Sequence, residues 1–238
     1  MRHESLVQHP MTDVSQSMES TCEITAPPLR QQILNAYEAH LRREGHPPVS
    51  VFRFAEAHGF TERDFFAEFP SLEAVESAWW VARLDHVIGS VESGPAWDSF
   101  SARHRMLAFL FAFAEASLDF RSLLLVRLQG RSVLTNPPEL AAFEDRFLGF
   151  AQRLLEHGRL HGEIASRGPL SRLYPQAAYR LFRSVIDFHL RDSSPRYERT
   201  DAFIEKSTTV LFDLIGRQVL DSGFDLLRFL LPKWTSRA

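Results

Sequence analysis

Cysteine is nearly absent: Cys22 is the only one in 238 residues. No disulfide framework can form within one chain, and the composition suits a reducing compartment. Lysine is almost as scarce, with Lys206 and Lys233 alone, so positive charge is carried almost wholly by arginine. There is no basic excess, since the formal net charge is −3 at pH 7, and hence no global attraction to nucleic acid. No apolar run reaches the roughly 18 residues of a membrane span. The N-terminus is polar and acidic, unlike a secretion signal or an arginine-rich transit peptide, so a cytoplasmic location is expected. Sustained β-branched alternation, internal repeats and low-complexity tracts are all missing. So are a phosphate-cradling glycine loop, a nucleophile elbow and a paired-carboxylate motif. Cys22 has no neighbouring base or cation to activate it. Neither an enzyme nor a cofactor is expected. His157 and His161 stand four apart in "HGRLHGEI" with Glu163 following, a spacing a metal could use on a helix. Gly158 and Gly162 weaken that helix, no third ligand stands at telling spacing, and no metal is expected.

What the chain does have is apolar mass. Hydrophobic residues make up 45% of it and 20 are phenylalanine, enough for a substantial core. Residues 1–28 lack periodicity and read as a flexible tail. Arg2 stands there against Glu4, Asp13, Glu19 and Glu23, the wrong sign for an arm in the DNA minor groove. Beyond residue 28 the apolar spacing is helical almost throughout. "LRQQILNAYEAHLRREG" puts Leu29, Ile33, Ala36, Tyr37 and Leu41 on one face and stops at Gly45. "VSVFRFAEAHG" is a compact helix ending at Gly59. "TERDFFAEF" follows with Thr61 as N-cap and acids in its first turn. Pro70 ends it, and Ser71 caps a longer helix to about Glu92. "SGP" at 93–95 marks a boundary, after which helices are expected near 96–117, 118–133, 138–163, 174–192 and 198–222. The expectation is an all-α chain of about nine helices. It comprises a tail (1–28), a three-helix helix-turn-helix domain (29–80), a helical ligand-binding and dimerisation domain (81–222) and an amphipathic extension (223–238).

Two short helices joined through a glycine turn and braced by a longer first helix form a helix-turn-helix. Phe52, Phe54, Ala55, Phe60, Phe65, Phe66 and Phe69 supply a miniature core for it. The stretch "VSVFRFAEAHGFTERDFFAEFPSLEAV" resembles the tetracycline-repressor-like (TetR) family. That family shows a helix ending "IA…G", a Ser/Thr cap, then "LYxHF" and "SKEAL". Here the matching residues are Phe54-Ala55 to Gly59, Thr61, Phe65 to Phe69, and Ser71 to Val75. The resemblance covers about 50 residues and implies a ligand-responsive transcriptional regulator that binds DNA as a homodimer. Its DNA-facing set on this chain is Arg53, Thr61, Arg63, Phe66 and Ser71, with Arg63 reading bases and Arg53 and Thr61 contacting phosphate.

The departures from the family are chemical. Phe66 lacks the hydroxyl that the family's tyrosine gives to phosphate, Glu68 replaces a histidine, and Leu72 replaces a lysine. Between 29 and 80, Arg30, Arg42, Arg43, Arg53 and Arg63 face Glu38, Glu44, Glu56, Glu62, Asp64, Glu68, Glu73 and Glu76. Phosphate contacts supply most non-specific affinity, so an acidic head approaches DNA against its own field. The alternative is a TetR fold that has left DNA and serves as a lipid- or hydrophobe-binding accessory protein.

The rest of the chain is strongly apolar, and the resemblance implies a small-molecule cavity among its central helices. Phe109, Phe113, Arg127, Phe147 and Phe182 are the expected pocket residues for a small apolar ligand or lipid; a packed bundle is the competing reading of the same aromatics. Arg127, set among leucines, must reach outward or pair, with a ligand head group or with an acid such as Glu115 or Asp187. The apolar faces of 174–192 and 198–222 are the expected two-fold dimer contact, again as the resemblance implies. In "DSGFDLLRFLLPKWTSRA", apolar residues with Trp234 and flanking cations suit either a groove on the protein or peripheral contact with a lipid surface.

Overall fold

The structure, a computed structural model, describes residues 27–128 and 138–216. The extension expected at 223–238 and nearly all of the tail at 1–28 lie outside the described residues. Among the described residues there are nine α-helices: α1 (Leu29–Glu44), α2 (Val51–His58), α3 (Glu62–Glu68), α4 (Leu72–Glu92), α5 (Ala102–Ser117), α6 (Arg121–Leu128), α7 (Ala141–Leu160), α8 (Tyr174–Arg191) and α9 (Glu198–Ile215). The chain is all-α; its single β-type contact there is an isolated bridge between Ile164 and Gly216.

Local chemistry sets most boundaries. Ser50, Thr61, Ser71 and Ser101 each accept a backbone N–H three residues on, which caps α2, α3, α4 and α5. Gly45 and Gly59 stop α1 and α2 in the left-handed region, at φ 72° and 77°, where a Cβ is strained. The cap at Ser101 starts α5 at 102 rather than 96, after a 3₁₀ turn at Trp97–Ser99. A second 3₁₀ turn, Leu118–Phe120, moves the start of α6 to 121.

α1, α2 and α3 close around Ile33, Tyr37, Phe54, Phe65 and Phe69, all buried. The Phe54 ring meets those of Phe60 and Phe65 edge-on at 5.5 and 6.3 Å. Phe52 and Phe66 do not join this core, contrary to expectation; they are 58% and 53% exposed. The reason is helical geometry: neighbours step by about 100°, so when Phe65 points inward Phe66 cannot.

In the larger unit α4 packs along α7, α8 along α7 and α9, and α5 along α4 and α9. Gly158 marks the tightest crossing. A Cβ there would lie 2.6 Å from Cβ of Ala102 and 2.7 Å from Cδ1 of Ile164, so the glycine in α7 is a requirement of close packing. The turn from α8 to α9 is organised by Asp192. Its carboxylate accepts from the Ser194 N–H at 2.8 Å, the Thr200 N–H at 2.9 Å and the Thr200 hydroxyl at 2.7 Å. Burial acts to raise the Asp192 pKa, but the hydrogen bonds from Ser194 and Thr200 outweigh it and hold the acid well below the usual carboxylate range. A depressed folded-state pKa gives stability that is complete above the unfolded value, about 3.9, and is lost as pH falls toward the folded one. Asp192→Asn is therefore expected to lower the urea midpoint equally from pH 8 down to about pH 5, with the gap to wild type closing below about pH 4. A gap independent of pH down to acid denaturation would show that the charge plays no part.

Candidate nucleic-acid interface and chamber

The head presents α3 and the start of α2 to solvent, and its five arginines divide into two groups. Arg42 pairs with Glu38 at 2.9 Å and Arg43 with Glu44 at 2.7 Å. Arg30 donates to the Glu68 carbonyl at 2.9 Å and lies 4.1 Å from the Phe69 ring centre. Arg53 and Arg63 are exposed, and among the described residues neither guanidinium has an ion-pair or hydrogen-bond partner. The two cations assigned to DNA are thus the two left uncommitted on the head.

Thr61 and Ser71 differ from that assignment. The Thr61 hydroxyl donates to Asp64 Oδ2 at 2.7 Å and accepts from the Asp64 N–H at 3.1 Å, while the Thr61 N–H reaches the same carboxylate at 3.0 Å. This capping box uses the proton that a phosphate contact needs and places a carboxylate beside it. Ser71 is half-buried and accepts the Ala74 N–H at 3.3 Å. Both side chains work as helix caps. Phe66 is exposed on α3 and Phe52 on α2, joined by Val49 just before the α2 cap, so the outer face mixes two free arginines with apolar surface.

Behind the head, α4 carries Glu76 into the junction of α1, α4 and α6. Arg127 of α6 grips this buried carboxylate with both arms, Nε to Oε1 at 2.7 Å and Nη2 to Oε2 at 2.5 Å. Trp80 Nε1 donates to Oε1 at 3.3 Å. Burial, and after it the Glu76 charge, pushes the Tyr37 phenol of α1 far above its ordinary range, which keeps it protonated. The expectation that Arg127 pairs with Glu115 or Asp187 is corrected: Glu76 is its partner. The reason is tertiary, since the two residues meet across a sequence separation of 51.

The four phenylalanines of the expected chamber do come together. Phe182 stacks on Phe147 at 4.7 Å and meets Phe113 edge-on at 4.7 Å, and Phe109 lies 5.1 Å from Phe182 and 5.5 Å from Phe147. All four are buried, with ring on ring. Arg127 stands apart from them, at Glu76. Glu163, once weighed beside His157 and His161, instead caps α5 by accepting the Ala102 N–H at 2.8 Å. No group of three potential metal ligands occurs among the described residues, and no helix there is long and apolar enough to cross a membrane.

The outer faces of α8 and α9 carry two partly exposed rows. Leu173, just before α8, is followed along α8 by Ala177, Ser184 and Phe188, and Phe203, Ser207, Val210 and Leu214 run along α9. Phe188 and Phe203 stack at 4.5 Å and join the two rows. Val210 and Leu214 are 58% and 53% exposed.

Comparison with known proteins agrees with this geometry. Residues 105–230 match the family model of the tetracyclin repressor-like C-terminal domain, more than half of the chain. No curated protein matches by sequence. Among solved structures, the TetR transcriptional regulator of Nitrosomonas europaea ATCC 19718 is 14% identical, with 78% of this chain and 98% of that one covered and a TM-score of 0.55. The fatty acid degradation regulator FadR of Bacillus halodurans is 15% identical, covering 76% and 97%, TM-score 0.55. A protein of unknown function from Rhodococcus sp. RHA1 is 18% identical, covering 82% and 98%, TM-score 0.55. Identities this low show a shared fold. Together with the family model over most of the helical unit, they place the chain: it belongs to the tetracycline-repressor-like family of transcriptional regulators.

Proposed function

We propose that the protein binds DNA as a two-fold homodimer through its helix-turn-helix and releases or engages it in response to an apolar small molecule. The observation that carries the DNA part is the freedom of Arg53 and Arg63 on a head whose other arginines are tied down. Arg63, on α3, is the base reader, and Arg53, at the start of α2, the phosphate contact. The α8–α9 stripe supports the dimer, since exposed Leu173, Val210 and Leu214 beside the half-buried Phe188 and Phe203 suit a partner surface. The interior rings Phe109, Phe113, Phe147 and Phe182 support the ligand class. A molecule that enters by parting them is apolar, and a fatty acid regulator shares this fold. Such a ligand acts by binding the DNA-competent and DNA-free forms unequally.

A second reading has its own observation. Phe52, Phe66 and Val49 expose apolar surface on the head where phosphate contacts call for polar groups. That face suits a hydrophobe-binding accessory protein that has left DNA.

One salt-titrated gel shift, against the DNA flanking the protein's own gene, separates the readings. Wild type is expected to bind at low salt, and Arg53→Ala with Arg63→Ala to lower the salt slope by about one unit for each phosphate contact removed. Val210→Glu with Leu214→Glu is expected to give a folded monomer that binds far more weakly. A folded wild-type dimer that ignores DNA at low salt retires the regulator reading in favour of the second.

A further inference from the structure

Three histidines gather in the head around one phenylalanine. His40 lies on α1, His46 in the connector that follows, and His58 is the last residue of α2. The His40 ring meets those of Phe54 and His46 edge-on, each at 6.0 Å, and the His58 ring lies 5.0 Å from that of Phe54. His40 and His58 are half-buried, yet the Nε2 atom of each is closed off from solvent with no hydrogen-bond partner among the described residues. Buried polar atoms left without partners cost free energy and call for an explanation. Phe54 also meets Tyr37 of α1 at 6.4 Å and Phe65 of α3 at 6.3 Å. A change at its ring is therefore felt by all three helices of the head.

The charges that act most on this pair are Arg43 and Glu44, from the last turn of α1, and the histidines themselves. Glu44 is already committed to Arg43 at 2.7 Å. His46 donates from Nδ1 to the Pro47 carbonyl at 2.9 Å. Burial lowers the His40 pKa; Glu44 opposes it, while Arg43, His46 and His58 add to it. Burial, and after it the charge of Arg43, lowers the His58 pKa. Neutral rings suit this site as it is built. A protonated ring carries a donor on each nitrogen, and a buried Nε2–H there has no acceptor to reach. Two such cations beside Arg43, with the nearby acid already paired, repel one another across the α1–α2 contact.

We propose that acid opens the head: protonation of His40 and His58 parts α1 from α2 at the Phe54 ring and unseats α3. The folded pKa values of both histidines lie below the unfolded one, about 6.5, so the opened state takes up more protons. The stability they give the closed head is complete above that value and is lost as pH falls from it toward the folded values. The opening constant rises by up to about tenfold per pH unit for each histidine. A consequence for DNA follows, and it rests on the regulator reading, whereas the opening itself does not. With α3 unseated, the protein lets go of DNA in acid. The direction is diagnostic, because charge gain alone works the other way: added histidinium tightens binding to phosphate.

The test uses the full-length protein at pH 7.5 and pH 5.5, either side of the ordinary histidine value. Amide hydrogen exchange, corrected for the intrinsic effect of pH on its rate, is expected to show protection in α2 and α3 falling about tenfold or more in acid. Protection around Phe109 and Phe147 in the larger unit is expected to hold. The ring signals of His40 and His58, assigned by their loss in His40→Gln and His58→Gln, are expected to titrate below about 6.5. The double variant is expected to keep α2 and α3 protected at both pH values. DNA flanking the protein's own gene is expected to bind wild type about tenfold more weakly in acid, and the double variant no more weakly. The proposal is overturned if protection in α2 and α3 is unchanged or if both rings titrate at 6.5 or above. It is equally overturned if the double variant, folded by circular dichroism, opens in acid as wild type does, or if DNA binding by wild type tightens in acid. A protein that binds no DNA at either pH retires the regulator reading alone, and exchange still decides whether acid opens the head.

Discussion

Glu76→Ala is expected to cost about 3 kcal/mol of folding stability, because it removes a buried carboxylate that a half-buried guanidinium grips with both arms. Arg127 loses two charge-assisted bonds at once, and Trp80 loses the acceptor for its indole N–H. For a chain of this size the change corresponds to a fall in melting temperature on the order of 10 °C. The pair itself contributes much less than its disruption costs, since two charges were taken out of water to make it. Glu76→Leu combined with Arg127→Met is therefore expected to recover most of the loss. Urea unfolding of the two single variants and the double variant measures the cycle. A Glu76→Ala protein within about 1 kcal/mol of wild type would mean that water reaches the pair and that the junction is not closed.

Phe182→Ala is expected to be comparably severe, at about 3–5 kcal/mol. The ring touches four others: Phe147 at 4.7 Å, Phe113 at 4.7 Å, Phe109 at 5.1 Å and Phe143 at 5.8 Å. Removing it leaves an apolar void lined by aromatic edges and faces, and such a void stays dry and takes up small apolar molecules. Benzene or indole is expected to restore part of the lost melting temperature in the variant while leaving wild type unchanged. The experiment also separates two descriptions of the interior. A packed bundle gives the full cost, whereas a standing ligand chamber, with Phe182 already facing open space, gives a cost near 1 kcal/mol or less.

How far sequence reading reached depended on the range of the interaction involved. The head was legible because its boundaries are written in residues three or four apart. Ser50, Gly59, Thr61 and Ser71 each fix a helix end by bonding within one turn. The same grammar misled at residue 96, which only leads into the 3₁₀ turn Trp97–Ser99, and the true cap, Ser101, comes five residues later. Adjacent aromatics were also read too generously, since Phe65 and Phe66 cannot both face inward. Of the DNA-facing set, Arg53 and Arg63 remain free, whereas Thr61 was assigned a donor role that its own cap now fills. The partner of Arg127 was beyond reach, because a sequence separation of 51 carries no periodic signal.

Several helices stop without a left-handed glycine, and the way they stop has a consequence for cooperativity. Arg30 closes α3 through the Glu68 carbonyl, Arg121 closes α8 through His189 and Leu190, and Arg167 closes α9 through the carbonyls of Leu214 and Gly216 at 2.8 and 2.9 Å. In each case the donor comes from another part of the chain, and a guanidinium can serve two carbonyls where an ammonium is a single point of charge. A glycine stop is available to a helix on its own; an arginine stop exists only once the donor's element has docked. The wiring is also partitioned: Arg30 and Glu68 both lie in the head, while Arg121, Arg167 and the ends they close all lie in the larger unit. Each unit thus completes its helix ends from within, and opening the Glu76–Arg127 junction leaves those terminations in place. Hydrogen exchange at the last turns of α3, α8 and α9 would then report two cooperative blocks that protect themselves, with the crossing α4 as the seam between them.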